Sequence, residues 1–142
     1  MIFQQKVIYP PTSLKRHRHT KSGHSYDPSA KDKLEFASKV ELPEEIMTGP
    51  IIATLDFYEK RPKCHYRSGK YSDLLKPKAP KYNISKKDID NFCKFVLDAL
   101  NKKLYNDDSQ IIVLNSTKNY TENKEAGYIL MKFEEIIENS EN

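Results

Sequence analysis

Four aspartates flank one amphipathic segment of this chain. Lys87-Asp88-Ile89-Asp90-Asn91 opens it, Asn106-Asp107-Asp108-Ser109-Gln110 follows it, and Phe92 to Leu100 lie between. Carboxylates drawn together from both ends of such a segment repel one another unless a cation joins them, and hard oxygen donors suit Mg²⁺. A metal held by aspartates in a basic protein points to phosphate chemistry, because the ion can activate water and offset charge on phosphorus. Each piece also has an ordinary structural role. An acid at a helix start is favoured by the helix dipole, which accounts for either Asp88 or Asp90. An Asp-Asp step before a strand is a common turn. Neighbouring residues of an extended chain point opposite ways, so only one of the second pair is expected to face a given site. Asp108, nearer the strand, is the expected ligand; Asp107 caps the turn or acts through water.

The element carrying these residues is expected as a helix from about Ser85 to Lys102. Steps of 100° place Ile89, Phe92, Cys93, Val96, Leu97, Ala99 and Leu100 on one broad arc, and Asp90, Asn91, Lys94, Asp98 and Asn101 on the other. Lys94 then neighbours Asp90 one turn away. It either forms a weak surface pair with Asp90 or Asp98, or places its ammonium where a cleaved phosphate accumulates charge. Asp98, two turns beyond Asp90, reads as a structural or surface acid.

The rest of the chain reads as a frame for that helix. Phe3 to Tyr9 form a first strand stopped by Pro10-Pro11. Residues 12–24 lack acids and apolar period and form a basic loop. A helix from about Ser29 to Glu41 turns Leu34, Ala37, Ser38 and Val40 inward, and Gly49-Pro50 ends that region. Ile51 to Tyr58 are apolar enough for a central strand. Residues 60–87 make a long connection with ten Lys or Arg and a single acid, Asp73. Strands over 110–119 and 127–134 close the chain and are expected to pair as a hairpin. The fold class is α+β: a small mixed sheet with two helices, in the order β-α-β-α-β-β. It forms one domain over 1–137, with basic loops 12–24 and 60–87 and a frayed tail at 138–142.

Composition narrows the partners. A chain of 142 residues suits one core, and 37% apolar with 31% charged residues lies outside the disordered range. No apolar run approaches the ~20 residues of a membrane helix. Met1 to Lys6 lack the layout of a signal peptide, so a cytoplasmic location is expected. Cys64 and Cys93 are far apart, with no metal-binding spacing; Cys93 is expected in the core and Cys64 as a free thiol. Residues 1–87 hold 18 Lys or Arg against 9 Asp or Glu, a balance of +9. Residues 88–142 hold 6 against 11, a balance of −5, which restores the total of +4. The basic part attracts a polyanion, and the acidic part contains the carboxylates. In the basic loop 12–24, Lys15, Arg16, Arg18 and Lys21 are candidate phosphate contacts. His17, His19, His24 and His65 sit among basic residues that oppose a cation, which favours phosphate contact over metal binding. Tyr66, Tyr71 and Tyr82 alternate with lysines, a pattern suited to stacking on unpaired bases; their ordinary role is to pack the loop.

The order Asp88-Ile89-Asp90-Asn91, Lys94, Asp98-Ala99-Leu100 and Asp107-Asp108-Ser109-Gln110 resembles the RusA family of Holliday junction resolvases, found in bacteria and their phages and prophages. Pro10-Pro11 before a basic loop and the Ser29-Ala30 helix entry are similar to it as well. The resemblance implies a Mg²⁺-dependent endonuclease, a hydrolase of phosphodiester bonds, that acts as a homodimer on four-way DNA junctions in recombination and repair. It implies that Asp88, Asp90, Lys94 and Asp108 are catalytic, that the three aspartates hold the metal with Asp107 as a helper, and that Lys86 and Lys87 lie near DNA. The segment 62–83 departs from a minimal family member in its length and its tyrosines, which bears on junction specificity. Cleavage of flaps or forks, and junction binding without catalysis, are the alternative functions.

Overall fold

The computed structural model describes residues 1–16 and 18–138, with the side chain of Arg18 excepted. His17 and residues 139–142, most of the tail expected to fray, lie outside the described residues. The strands are β1 (Ile2–Val7), β2 (Arg18–His19), β3 (Ser25–Tyr26), β4 (Ile51–Glu59), β5 (Ile111–Tyr120) and β6 (Tyr128–Glu135). The helices are α1 (Ala30–Ser38) and α2 (Ile89–Ala99). The expected α+β order holds. One addition is the two-stranded ribbon β2–β3 within the first basic region.

The main sheet runs β1-β6-β4-β5. β4 lies parallel to β5 and antiparallel to β6, and β6 is antiparallel to β1. Residues 111–135 therefore do not form the expected hairpin. β4 stands between β5 and β6, and two causes combine. β4 turns Ile51, Ala53, Leu55 and Phe57 into the core, so a central place gives both of its backbone edges a partner. A helix leading out of β4 and into the next strand also returns that strand parallel, which a crossover permits and a hairpin does not. The 121–127 connection then passes over the end of β4, held by the Thr121 amide donating to the Glu59 carbonyl at 2.9 Å. Gly127 sits in this crossing. A Cβ there would lie 3.1 Å from the Tyr58 carbonyl oxygen and 3.2 Å from the Pro10 Cα.

α2 lies between the sheet and α1. On the sheet side Phe92 meets Phe57, ring centroids 5.2 Å apart. On the α1 side Phe95, absent from the expected apolar arc, is fully buried against Phe36 at 5.8 Å and Tyr9 at 6.3 Å. Burial on two sides leaves only a narrow polar stripe, Asp90, Lys94 and Asp98, facing solvent. In α1 the buried residues are Phe36 and Ala37, with Val40 just beyond; Leu34 and Ser38, expected inward, are exposed. Ser29, Lys33, Phe36, Ala37 and Val40 recur with helical period, so the inner face follows the two larger anchors, Phe36 and Val40, instead of Leu34. Cys93 is buried and Cys64 is an exposed free thiol, as expected. No helix among the described residues is long and apolar enough to cross a membrane.

Candidate active site

α2 begins four residues later than its apolar pattern suggests, and a cluster of polar contacts explains why. The Asn83 amide donates to Glu59 Oε1 at 2.9 Å and to the Asn119 carbonyl at 3.0 Å. Ser85 Oγ donates to the same Glu59 oxygen at 3.0 Å. Lys118 Nζ donates to the Ser85 carbonyl at 2.8 Å and the Lys87 carbonyl at 2.7 Å. Lys118 thereby holds the segment before Asp88 outside the helix, with the chain bending at Lys86 and Lys87. Asp88 is consequently the N-cap, with φ −82° and ψ 133°, yet its side chain caps nothing. Asp90 follows in the first turn. Both carboxylates and the Lys94 ammonium are exposed, and none has a side-chain hydrogen bond or ion pair with the described residues. The ordinary reading of Lys94, a pair with Asp90 or Asp98, is thus not realised.

Asp98 has another partner. Lys33 of α1 reaches it at 2.6 Å and also contacts Asp27. Burial alone would lower the Lys33 ammonium, but the hydrogen bonds to Asp27 and Asp98 outweigh it and hold the group above its ordinary value. Asp98 is therefore a structural acid joining the two helices. Beside this pair opens a cleft of about 460 Å³, lined by Lys15, Arg16, Asp90, Asn91, Lys94 and Asp98 among others. The Lys15 amide donates to Ser29 Oγ at 2.8 Å, which fixes the basic loop at the rim. Of the other basic candidates, Lys21 is exposed on the turn joining β2 to β3 and Lys86 is exposed beside Asp88. Lys87 pairs with Glu59 at 3.4 Å.

The second aspartate pair divides its roles. Asp107 caps the 3-10 turn Asp108–Gln110: its Oδ2 accepts from the Ser109 amide at 3.1 Å, and its own amide donates to Gln110 Oε1 at 2.9 Å. The Ser109 hydrogen bond holds the Asp107 carboxyl below the ordinary range. Gln110 in turn donates to the carbonyls of Met47 and Gly49, both at 3.0 Å. The Asp108 side chain is exposed and makes no such bond among the described residues.

The two pairs do not meet within one chain. Asp88 and Asp90 lie at the N-terminal end of α2 and Asp108 beyond its C-terminal end. β5 measures the gap: from Ile111, just past the Asp108 turn, to Lys118, which holds the Lys87 carbonyl, an extended strand covers roughly 23 Å. Oxygen–Mg²⁺ bonds are ~2.1 Å long. Among the described residues no three His, Cys, Asp or Glu side chains gather where they could hold a metal ion. Asp88, Asp90 and Asp108, expected to share one ion, are therefore not gathered in one place among the described residues of a single copy. The helix that carries one pair is also the spacer that removes the other.

A profile of the endodeoxyribonuclease RusA family matches residues 9–129. The chain belongs to the RusA family. RusA proteins are endodeoxyribonucleases, hydrolases that cut phosphodiester bonds within DNA. The chain is also similar to the uncharacterized protein YqaN of Bacillus subtilis (strain 168), with 39% identity over 85 residues. That match covers 56% of this chain and 56% of the relative's length. The RusA match spans both basic regions, both helices and the acids at either end of α2. Reading the sequence missed Glu59, Asn83 and Lys118, which hold the segment leading to Asp88. Their only sequence signal is a charged residue late in each of two adjacent strands.

Proposed function

We propose that this RusA-family chain is a Mg²⁺-dependent endonuclease that resolves four-way DNA junctions by paired nicks, as a homodimer. The observation that carries the reading is the state of Asp90 and Lys94, without a side-chain partner among the described residues, on an open cleft whose rim is the basic loop of Lys15 and Arg16, with the equally exposed Asp88 at the adjoining helix start. Exposed charges without partners contribute little to folding; the two carboxylates suit a cation and the ammonium suits the polyanion it comes with. Lys94 faces the strand to be cut and offsets charge on the phosphate as it develops. Lys15, Arg16, Lys21 and Lys86 bind flanking phosphates, so affinity falls steeply with salt.

Since one copy does not close a metal site, a second copy supplies the missing acid. β5 is an edge strand, and Ile112, Val113 and Leu114 on it are 59%, 41% and 44% exposed. Such an edge invites pairing. Two β5 strands paired antiparallel across a two-fold axis would bring the start of each to the end of the other. Asp108 of one copy would then approach Asp88 and Asp90 of the second, twice over. A Mg²⁺ ion held there would supply an activated water and polarise the phosphate. Two such sites related by the axis match the near two-fold symmetry of a four-way junction.

The test is cleavage of a four-way junction beside a flap, a fork and a plain duplex, with Mg²⁺ and with chelator. Paired, metal-dependent nicks confined to the junction are expected. Equal cleavage of flaps or forks would replace junction resolution with a broader branched-DNA nuclease, and binding without nicking would leave a DNA-binding protein only. Asp90→Asn mixed with Asp108→Asn distinguishes the two-copy site. Each variant alone is inactive, whereas a mixed dimer retains one complete acid set and nicks one strand. No recovery on mixing would refute the shared site.

A further inference from the structure

The long connection between β4 and α2 is a folded arm. The Arg67 amide donates to the Leu74 carbonyl at 2.8 Å and the Lys76 amide to the His65 carbonyl at 2.9 Å, so residues 65–67 and 74–76 pair antiparallel. A 3-10 turn, Gly69–Tyr71, makes the tip, with Gly69 at φ +67°, a conformation that favours glycine. The base of the arm is docked. The Arg61 guanidinium lies 4.5 Å from the centre of the Tyr120 ring at the end of β5, and His65 meets the same ring edge-on at 5.4 Å. Lys124 pairs with Asp73 at 3.3 Å and lies 5.0 Å from the Tyr66 ring. Asp73 is the only acid between residues 60 and 87, so this pair neutralises the one charge in the segment that would repel a polyanion.

The exposed residues of the arm say which form of polyanion it fits. Tyr71 and Leu74 near the tip are 55% and 50% exposed, and Tyr82 near the root is 72% exposed. Lys70 and Lys81 stand 5.8 Å and 5.5 Å from the Tyr71 and Tyr82 ring centres. Phosphate contacts need charge and hydrogen-bond donors, and exposed rings and leucines add nothing to them. Rings beside lysines bind bases by stacking, and only unpaired bases offer a free face. A continuous duplex keeps its base faces covered; a branch point is where they open.

We propose that the arm, residues 61–82, takes an unpaired DNA strand at a branch point, with its Lys and Arg residues on the phosphates and Tyr71 and Tyr82 stacked on bases. The proposal rests on the nuclease reading for its DNA partner and adds the element that selects branched over linear DNA. The polar cluster of Glu59, Asn83, Ser85 and Lys118 ties the end of the arm to Asp88. A strand held by the arm therefore keeps a constant spacing from the acids.

The experiment measures binding of the full chain, in chelator, to a four-way junction carrying 2-aminopurine at the branch point and to a linear duplex of the same sequence. Mg²⁺-dependent nicking is measured in parallel. The unsubstituted chain should favour the junction and change the 2-aminopurine fluorescence. Substituting both Tyr71→Ala and Tyr82→Ala should lower junction affinity by about tenfold or more while duplex affinity changes by less than about twofold. Tyr71→Phe with Tyr82→Phe should restore the preference, because a phenyl ring stacks as well; this pair also controls for folding. An equal loss on both DNAs, or an unchanged junction affinity, overturns the role of the arm even if nicking is normal. Absence of nicking by the unsubstituted chain overturns the nuclease reading instead, and the binding ratio still decides the arm.

Discussion

The two ends of α2 carry aspartate pairs that look alike in sequence and differ in what they do. At the N-terminal end Asp88 and Asp90 are spaced by one residue and neither carboxylate has a side-chain partner among the described residues, while Lys118 and Glu59 hold the approaching segment by its backbone and by Asn83 and Ser85. At the C-terminal end Asp107 spends its carboxylate on the Ser109 amide, and only Asp108 is left open. An acid that folding already uses is a poor candidate for chemistry. Asp88, at an N-cap position, is exposed and its side chain makes no cap hydrogen bond. The same contrast separates Lys33, engaged by Asp27 and Asp98, from Lys94, engaged by neither.

The strongest way to break this comparison is to neutralise the free acids. Asp88→Asn, Asp90→Asn and Asp108→Asn should each lower junction cleavage by more than about a hundredfold, beyond the ~10–100-fold typical of residues one step removed from a metal. Junction binding in chelator should be retained, as gel shift would record, since the basic loops are intact. Lys94→Met should come next, with about a hundredfold loss in cleavage rate and unchanged melting, because its ammonium supports no fold contact. Cleavage by Asp107→Ala should remain within about tenfold of the unsubstituted chain, while its melting temperature falls through the lost cap. If Asp107 rather than Asp108 proved indispensable, the division of roles would be reversed.

Smaller effects sharpen the contrast. Asp98→Asn removes one of two carboxylates from Lys33. The pair is partly solvated, so the expected loss is about 0.5–1 kcal/mol by chemical denaturation, with cleavage nearly unchanged. Acid titration should reach the capped turn below the ordinary carboxylate range. The Asp107 carboxyl titrates below its ordinary value of 3.8 in the folded chain, so its contribution to stability is complete above that value. The contribution is lost as pH falls from there through the folded value, and Asp107→Asn should flatten the acid limb of the stability curve in that window. A curve that keeps its slope would mean that the cap is not formed in solution.

The frame was legible in the sequence because it rests on short-range patterns. Apolar content placed β4 and helical period placed the centre of α2, although not its first turn, and Pro10-Pro11 and Gly49-Pro50 lie between elements as expected. Leu34 was misplaced because a nine-residue helix has too few turns for its pattern to fix the phase. Phe95 escaped the arc because a helix buried on two sides is not divided into halves. The hairpin expectation failed because adjacency in the chain was taken for adjacency in the sheet, and the α2 crossover overrules that for β5 and β6.

The sequence by itself determined the chemistry on offer: which residues are acids and lysines, their order along the chain and the family they belong to, since these depend on residue identity and local spacing. Only the tertiary structure decided which of those groups are free and how far apart they stand. A rigid helix keeps its two ends apart, so Asp108 does not gather with Asp88 and Asp90 among the described residues of one copy. The residue count sets that separation only once the intervening segment is known to form one continuous helix that does not fold back, which the packing of α2 on the sheet decides.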